Sequence, residues 1–235
     1  MKFFRTLILI IIIALLSGVF TFKFYAPLNA RFGTRRTAST LINEPYYMIK
    51  TSIFESMPKY DNEIIFLGDS LTDYIQFSEI FPALNIINRG IAGDTTTGVL
   101  NRLDEIISRQ PAKLFINIGI NDIAYKVAPV EIAANIRKII ERVKAGSPET
   151  KIYLETLLPV VNNSKFLTGR PSNIINSVNK LLPEIAKDLD CKLLDVHKFF
   201  AEDDNMPERY SVDGIHMNGA GILKWMQFLE PYIKE

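Results

Sequence analysis

Short apolar runs alternate with stretches of helical periodicity along this chain, and that alternation sharply limits the folds open to it. The runs cover residues 63–67, 84–88, 113–118, 151–156 and 193–196. Each is brief, almost continuously apolar and rich in β-favouring residues, as expected of strands buried on both faces of a parallel sheet. Between them, Val99, Leu100, Leu103, Ile106 and Ile107 recur at helical spacing behind a threonine cap at Thr95, Thr96 or Thr97. Residues 129–145 place Val130, Ala133, Ile136, Ile139, Ile140 and Val143 on one face, and Gly146-Ser147-Pro148 ends that helix. Ile174, Val178, Leu181, Leu182 and Ile185 mark another helix, which Pro183 should kink or break. Ile222, Trp225, Met226, Leu229 and Ile233 stripe a last one. Strands alternating with helices in this way predict a doubly wound α/β domain.

Chemistry collects at the ends of the first three runs. Gly68-Asp69-Ser70-Leu71 follows the first, which puts Ser70 on the rim where open α/β sheets bind ligands. If a helix begins there, the Ser70 main-chain N–H is free to bind an anion. A Gly-Asp-Ser sequence alone is explained as a helix cap. The pair Asp213 and His216 changes that reading. A serine hydroxyl needs a base, and the chain has two histidines, His197 and His216. Asp213 precedes His216 by three residues with Gly214 between, so its carboxylate can reach the imidazole from the same loop. The chain order is then Ser, Asp, His, without a Gly-x-Ser-x-Gly elbow. His197 has no such partners in its segment and reads as structural.

An acyl-transfer site also needs donors for a developing oxyanion. Gly90 follows the second run, where a residue without a side chain lets its N–H approach a substrate. Asn121, in Gly119-Ile120-Asn121-Asp122, follows the third and has an amide to donate. Ser70, Gly90 and Asn121 are thus the expected oxyanion donors, with Asp69 and Asp122 shaping their turns.

These blocks resemble the SGNH, or GDSL, hydrolases. Ser70 matches the family's nucleophile, Gly90 and Asn121 its oxyanion-hole residues, and His216 with Asp213 its base and partner. The stretch Asn88-Arg89-Gly90-Ile91-Ala92-Gly93-Asp94-Thr95-Thr96 is similar to the platelet-activating-factor acetylhydrolase-like branch. The resemblance covers roughly residues 60–235. It implies a flavodoxin-like three-layer α/β/α sandwich, a central parallel sheet of about five strands, and hydrolysis of esters or thioesters without a metal or other cofactor.

The rest of the chain concerns location. Lys2 and Arg5 precede an apolar run from Leu7 to about Phe22. At 1.5 Å per residue it spans roughly 24–27 Å, close to a bilayer core of about 30 Å. We expect residues 1–22 to form a hydrophobic membrane-anchoring helix, the alternative being a cleaved signal and a secreted product. Residues 23–45, with Lys23, Arg31, Arg35 and Arg36, read as a basic linker suited to anionic headgroups. Residues 46–235 form the hydrolase domain, expected outside the cytoplasm. Lys+Arg 27 against Asp+Glu 26 leaves a net charge of +1, and nothing marks a nucleic-acid surface. Cys191 is the single cysteine, so no intrachain disulfide forms.

Three rival readings compete with a serine hydrolase. A metal-dependent phosphoesterase needs several His and carboxylate ligands, and two histidines do not supply them. A non-catalytic glycan- or lipid-binding module leaves the Ser/Asp/His set unexplained. An acyltransferase would use the same acyl-enzyme and is separated from a hydrolase by its products. For substrate contacts the candidates are Leu71, Tyr74 and Ile75, and Phe166 and Leu167 in the loop at 159–170. O-acetyl glycans, lysophospholipids and other small esters all fit.

Overall fold

A computed structural model describes residues 42–161 and 171–235. The expected anchor at 1–22, most of the linker and the loop residues Phe166 and Leu167 lie outside the described residues. Among those described, no helix is long and apolar enough to cross a membrane.

Five parallel strands form one sheet: β1 (Ile64–Gly68), β2 (Ile86–Gly90), β3 (Lys113–Asn117), β4 (Lys151–Glu155) and β5 (Lys192–Leu194). Their order is β2-β1-β3-β4-β5, all pairs parallel. Every residue of β1 is buried, as its unbroken apolar character requires for a central strand covered on both sides.

Successive side chains of a strand face opposite layers, and the core divides accordingly. Ile65, Leu67, Leu114, Ile116, Ile152 and Leu154 face one layer. It is built from α4 (Thr96–Asn101), α5 (Leu103–Arg109), α7 (Pro129–Gly146), α8 (Pro171–Asn179) and α9 (Leu182–Asp188). Ile64, Phe66, Phe115, Tyr153 and Leu194 face the other, where α2 (Ser70–Asp73), α3 (Phe77–Ile80), α10 (Val196–Phe200) and α11 (Gly219–Lys234) pack. In this second layer Phe66, Phe115 and Tyr153 stand in register on three adjacent strands. Their rings stack at 4.6 and 4.5 Å, within the range of favourable offset aromatic pairs.

Several boundaries depart from the sequence reading. β2 starts two residues late and continues through Gly90. β5 ends at Leu194, and Val196 belongs to α10. The expected helix after Thr95 is two helices, because Arg102 leaves helical geometry at φ −110°, ψ 10°. Its buried guanidinium donates to Asp94 at 2.8 Å and to the Gly68 carbonyl at 3.2 Å, tying the break to the end of β1. The expected interruption near Pro183 is present, with α8 and α9 separated at Lys180–Leu181 and Pro183 in the first turn of α9, where a missing N–H costs nothing. Among the described residues, four helices had no counterpart in the sequence reading: α1 (Pro45–Ser56), α3, α6 (Ile120–Ala124) and α10.

Candidate active site

Ser70 is the first residue of α2, just past the carboxyl end of β1. Asp69 caps that helix, its carboxylate accepting from the Leu71 N–H at 3.0 Å. The cap satisfies Leu71 and leaves the Ser70 N–H as an open donor at a helix start. Ser70 Oγ lies 2.9 Å from His216 Nε2. His216 Nδ1 in turn lies 2.6 Å from Asp213 Oδ2. Serine, histidine and aspartate therefore form one hydrogen-bonded line.

The loop carrying Asp213 and His216 is braced by its own backbone. Asp213 Oδ1 accepts from the N–H groups of Ile215 at 3.0 Å and His216 at 2.8 Å. The Ser211 hydroxyl donates to the His216 carbonyl and accepts from the Gly214 N–H, both at 2.9 Å. Asn218 then caps α11 through the Gly221 N–H. Burial acts to raise the Asp213 carboxyl, but the hydrogen bonds from the His216 ring and from the Ile215 and His216 N–H groups outweigh it and hold the group below 3.8. A carboxylate kept ionised beside Nδ1 fixes the tautomer that leaves Nε2 facing the serine hydroxyl.

The two expected partners from β2 and β3 behave differently. Asn121, in α6, donates one amide hydrogen to the Asp94 carbonyl at 2.9 Å, which orients the group and leaves its second hydrogen for another acceptor. Gly90 is otherwise engaged. Its N–H donates to Asn88 Oδ1 at 2.8 Å, and a Cβ there would sit 2.3 Å from the Asp73 nitrogen. A glycine is needed at 90 because α2 passes directly over β2, and its N–H is not open to an oxyanion in this arrangement. Gly93, three residues on, has φ +83° and open space beside its Cα, and its N–H meets no acceptor among the described residues. Both glycines belong to the same short segment, so sequence alone did not separate the packing glycine from the loop glycine. The Gly-Asp pair at Gly93-Asp94 was the available signal.

Three buried carboxyl groups support this rim. Asp94 pairs with Arg102 and accepts from the Thr95 N–H at 2.8 Å. Asp122 accepts from both the N–H and the hydroxyl of Thr96. Asp69 is fully buried, and its Oδ2 has no partner among the described residues. Burial pushes Asp69 up to about 7, with Asp94 and Asp122 adding to the rise. Burial also lifts Asp122, to about 6. Asp122 therefore does more than shape its own turn: it joins the β3 loop to the start of α4.

Of the candidate substrate contacts, Leu71 and Ile75 are buried in the core. Tyr74 is exposed, with its ring tilted against His216 at 5.5 Å between centroids, and among the described candidates is the one beside the site. His197 is buried; its N–H donates to Thr156 Oγ1 at 2.9 Å and its ring faces Asp204 at 3.8 Å. Burial lowers its titration, and it takes no part in the Ser70 line. Among the described residues, no three His, Cys, Asp or Glu side chains converge as a metal site would require.

The family model of the GDSL-like Lipase/Acylhydrolase proteins matches residues 66–222, from within β1 into α11. The chain belongs to that family. This GDSL hydrolase is 28% identical over 169 residues to the platelet-activating factor acetylhydrolase IB subunit alpha2 of Rattus norvegicus, covering 69% of this chain and 72% of the relative. It is 29% identical over 187 residues to thioesterase 1/protease 1/lysophospholipase L1 of Escherichia coli K12, covering 72% and 84%. A solved structure from Streptococcus pneumonia, of a protein assigned as a platelet activating factor, superposes with a TM-score of 0.73 at 26% identity, covering 80% and 92%. The GDSL hydrolase is accordingly a serine esterase or lipase, acting on ester bonds, on an α/β fold with a parallel five-stranded sheet.

Proposed function

We propose that this GDSL hydrolase cleaves carboxylic esters through an acyl-enzyme on Ser70. The observation that carries the reading is the continuous line from Ser70 Oγ to His216 Nε2 at 2.9 Å and from His216 Nδ1 to Asp213 at 2.6 Å. His216 takes the hydroxyl proton as Ser70 Oγ attacks the ester carbonyl, and Asp213 stabilises the imidazolium. The tetrahedral oxyanion is met by the Ser70 N–H and the Asn121 amide. In our reading the third donor is the Gly93 N–H rather than that of Gly90, which is bonded to Asn88. Such donors are each worth a few kcal/mol in the transition state. Collapse expels the alcohol, which receives the proton from His216. The same imidazole then activates water, and the acid leaves Ser70 free again.

The relatives and the rim both support a reading of the substrate class. The relatives' names include an acetylhydrolase, a thioesterase and a lysophospholipase. Exposed Tyr74 beside His216 offers a flat, amphipathic wall to a leaving group. We favour an O-acetyl glycan, a lysophospholipid or another small ester. We also read residues 7–22 as a membrane tether, supported by the length of the apolar run, with the catalytic domain outside the cytoplasm because a first N-terminal apolar segment usually acts as an export signal. Lys23, Arg31, Arg35 and Arg36 beyond the run outnumber Lys2 and Arg5 before it and work against that orientation. Protease protection on intact cells checks that reading, since a fully shielded domain contradicts it.

The test of the chemistry is a panel of nitrophenyl esters, lysophospholipids and acetylated glycans. Fluorophosphonate labelling accompanies it, with Ser70→Ala as control. Wild type should label and turn over, and Ser70→Ala should do neither while keeping its circular dichroism. Unchanged turnover in Ser70→Ala removes the assignment.

A further inference from the structure

α1 is a twelve-residue helix held firmly on one side and bare on another. On its inner side Tyr47 and Phe54 are buried. The Tyr47 hydroxyl donates to the Gly98 carbonyl at 2.7 Å, and the Arg89 guanidinium lies over the Phe54 ring at 4.5 Å. Tyr46, Ile49 and Ile53 recur at helical spacing on a different face, Met57 follows in extended geometry just past the helix, and all four are exposed, Ile49 at 57% and Ile53 at 45%. Of the twelve large hydrophobic side chains exposed among the described residues, seven lie between positions 46 and 74. So dense a local grouping departs from the scattered single apolar residues of an ordinary surface.

This face leads to the catalytic rim. The Tyr46 hydroxyl donates to Asp73 Oδ2 at 2.6 Å, and Lys50 pairs with Asp73 Oδ1 at 2.5 Å. Asp73 ends the short helix that Ser70 begins. The next residue, Tyr74, is exposed and packs against the His216 ring.

We propose that the Tyr46/Ile49/Ile53 face of α1, with Met57 just past its end, rests in the interfacial layer of a lipid bilayer, with the Ser70 mouth turned to draw its ester from that surface. Several observations favour a bilayer as the occupant. The apolar run at 7–22 lies upstream in the same chain. Residues 23–41 join it to the domain, and at about 3.4 Å each they reach at most about 65 Å. That stretch carries Lys23, Arg31, Arg35 and Arg36, each worth on the order of 1 kcal/mol near an anionic leaflet. Tyr46 at one end of the face suits a headgroup layer, where an apolar ring and a polar hydroxyl are both accommodated. At twelve residues α1 is too short to span a bilayer, so it can meet one only along its surface. One face of twelve residues also falls short of the ~20–30 residues a side that a stable protein interface uses. The docking stands on this face alone; the delivery of an ester rests on the serine-hydrolase reading.

The full chain reconstituted in phosphatidylcholine/phosphatidylglycerol vesicles tests it. Trp225 is the sole tryptophan and is buried, so Ile53→Trp adds one reporting probe. Its emission should be quenched by lipids brominated on their acyl chains. The double variant I49D/I53D should slow turnover of a vesicle-embedded long-chain ester about tenfold or more, given two isoleucines that no longer enter the interface. Its turnover of a soluble short-chain ester should equal wild type, which separates failed docking from failed chemistry. An unquenched probe, or equal rates on the embedded ester, overturns the proposal. So does a concentration-dependent dimer in detergent that I49D/I53D converts to monomer, because a second copy would then own the face.

Discussion

Asp122 takes two hydrogen bonds from Thr96, one from its N–H at 2.9 Å and one from its hydroxyl at 2.6 Å. This links the loop after β3 to the first turn of α4. Thr96 Oγ1 also accepts from Asn135 of α7 at 3.0 Å, and Asn121, the neighbour of Asp122, is bonded to Asp94 just before that turn. The position of the Asn121 amide is thus set by groups on three separate segments. Replacing Asp122 by Ala strands the buried Thr96 donors. We expect a loss of about 3 kcal/mol in urea unfolding, with kcat on a soluble ester falling as Asn121 loosens. Asp122→Asn keeps one acceptor oxygen and should retain most of both.

Asn121→Ala addresses the oxyanion directly. It deletes a side-chain donor and one hydrogen bond to the Asp94 carbonyl. Stability should fall by only about 1 kcal/mol. Steady-state kinetics should show kcat reduced about 10²–10³-fold with KM little altered. Equal losses in kcat and stability would assign Asn121 a structural role.

Asp213→Asn removes the anion beside His216 while preserving size. With the tautomer no longer fixed, kcat should drop by about 10²–10⁴-fold without unfolding the loop. Because the hydrogen bonds from the His216 ring and the loop N–H groups hold the Asp213 carboxyl below the usual carboxylate range, its own protonation should produce no acid limb in the kcat/KM profile of wild type at pH 5 and above.

The two loop glycines separate packing from conformation. At Gly90 an added methyl meets the Asp73 backbone nitrogen and Cα at 2.3 and 2.7 Å, and main-chain atoms cannot swing aside. Gly90→Ala should cost about 3 kcal/mol. Gly93→Ala meets nothing but must keep φ +83°, so about 1–2 kcal/mol is expected. Thermal melts of the pair check the ordering.

Glu155 gives the fold a pH dependence. Full burial pushes its carboxyl up to about 8, against the lowering effect of hydrogen bonds from Trp225 and Asn117. In the unfolded chain it titrates near 4.5. Between those values the folded state holds a proton that the unfolded state has lost, so stability must decline as pH rises, by about 1.4 kcal/mol per pH unit for one such group. Asp69 and Asp122, also raised, act in the same direction over narrower windows. Unfolding midpoints should fall from pH 5 to pH 8, and Glu155→Gln, which can still accept from Trp225 Nε1, should flatten the upper part of that slope.

Much of this protein follows from the order of its residues. Buried parallel strands must be apolar throughout, so the runs ending at Gly68 and near Asn117 announce a central sheet before any contact is known. A long amphipathic helix such as α7 writes its buried face at regular intervals. The Asp213–His216 pairing is legible because both groups sit in one short loop, where spacing almost dictates contact. Other features depend on encounters between distant segments. α1 escaped notice because its apolar residues lie on exposed as well as buried faces and Glu44 makes no side-chain cap, so neither periodicity nor a start signal marks it. The choice between Gly90 and Gly93 turns on α2 crossing β2, and the split of the helix at Arg102 coincides with an ion pair and a carbonyl at the end of another strand. Sequence by itself determined the layered α/β architecture and the identities of the serine, histidine and aspartate, because local periodicity and short spacings carry that information. Only the tertiary structure decided which main-chain N–H groups remain open and which carboxylates hold the loops together. Those outcomes depend on close approach between elements tens of residues apart, which no local pattern records.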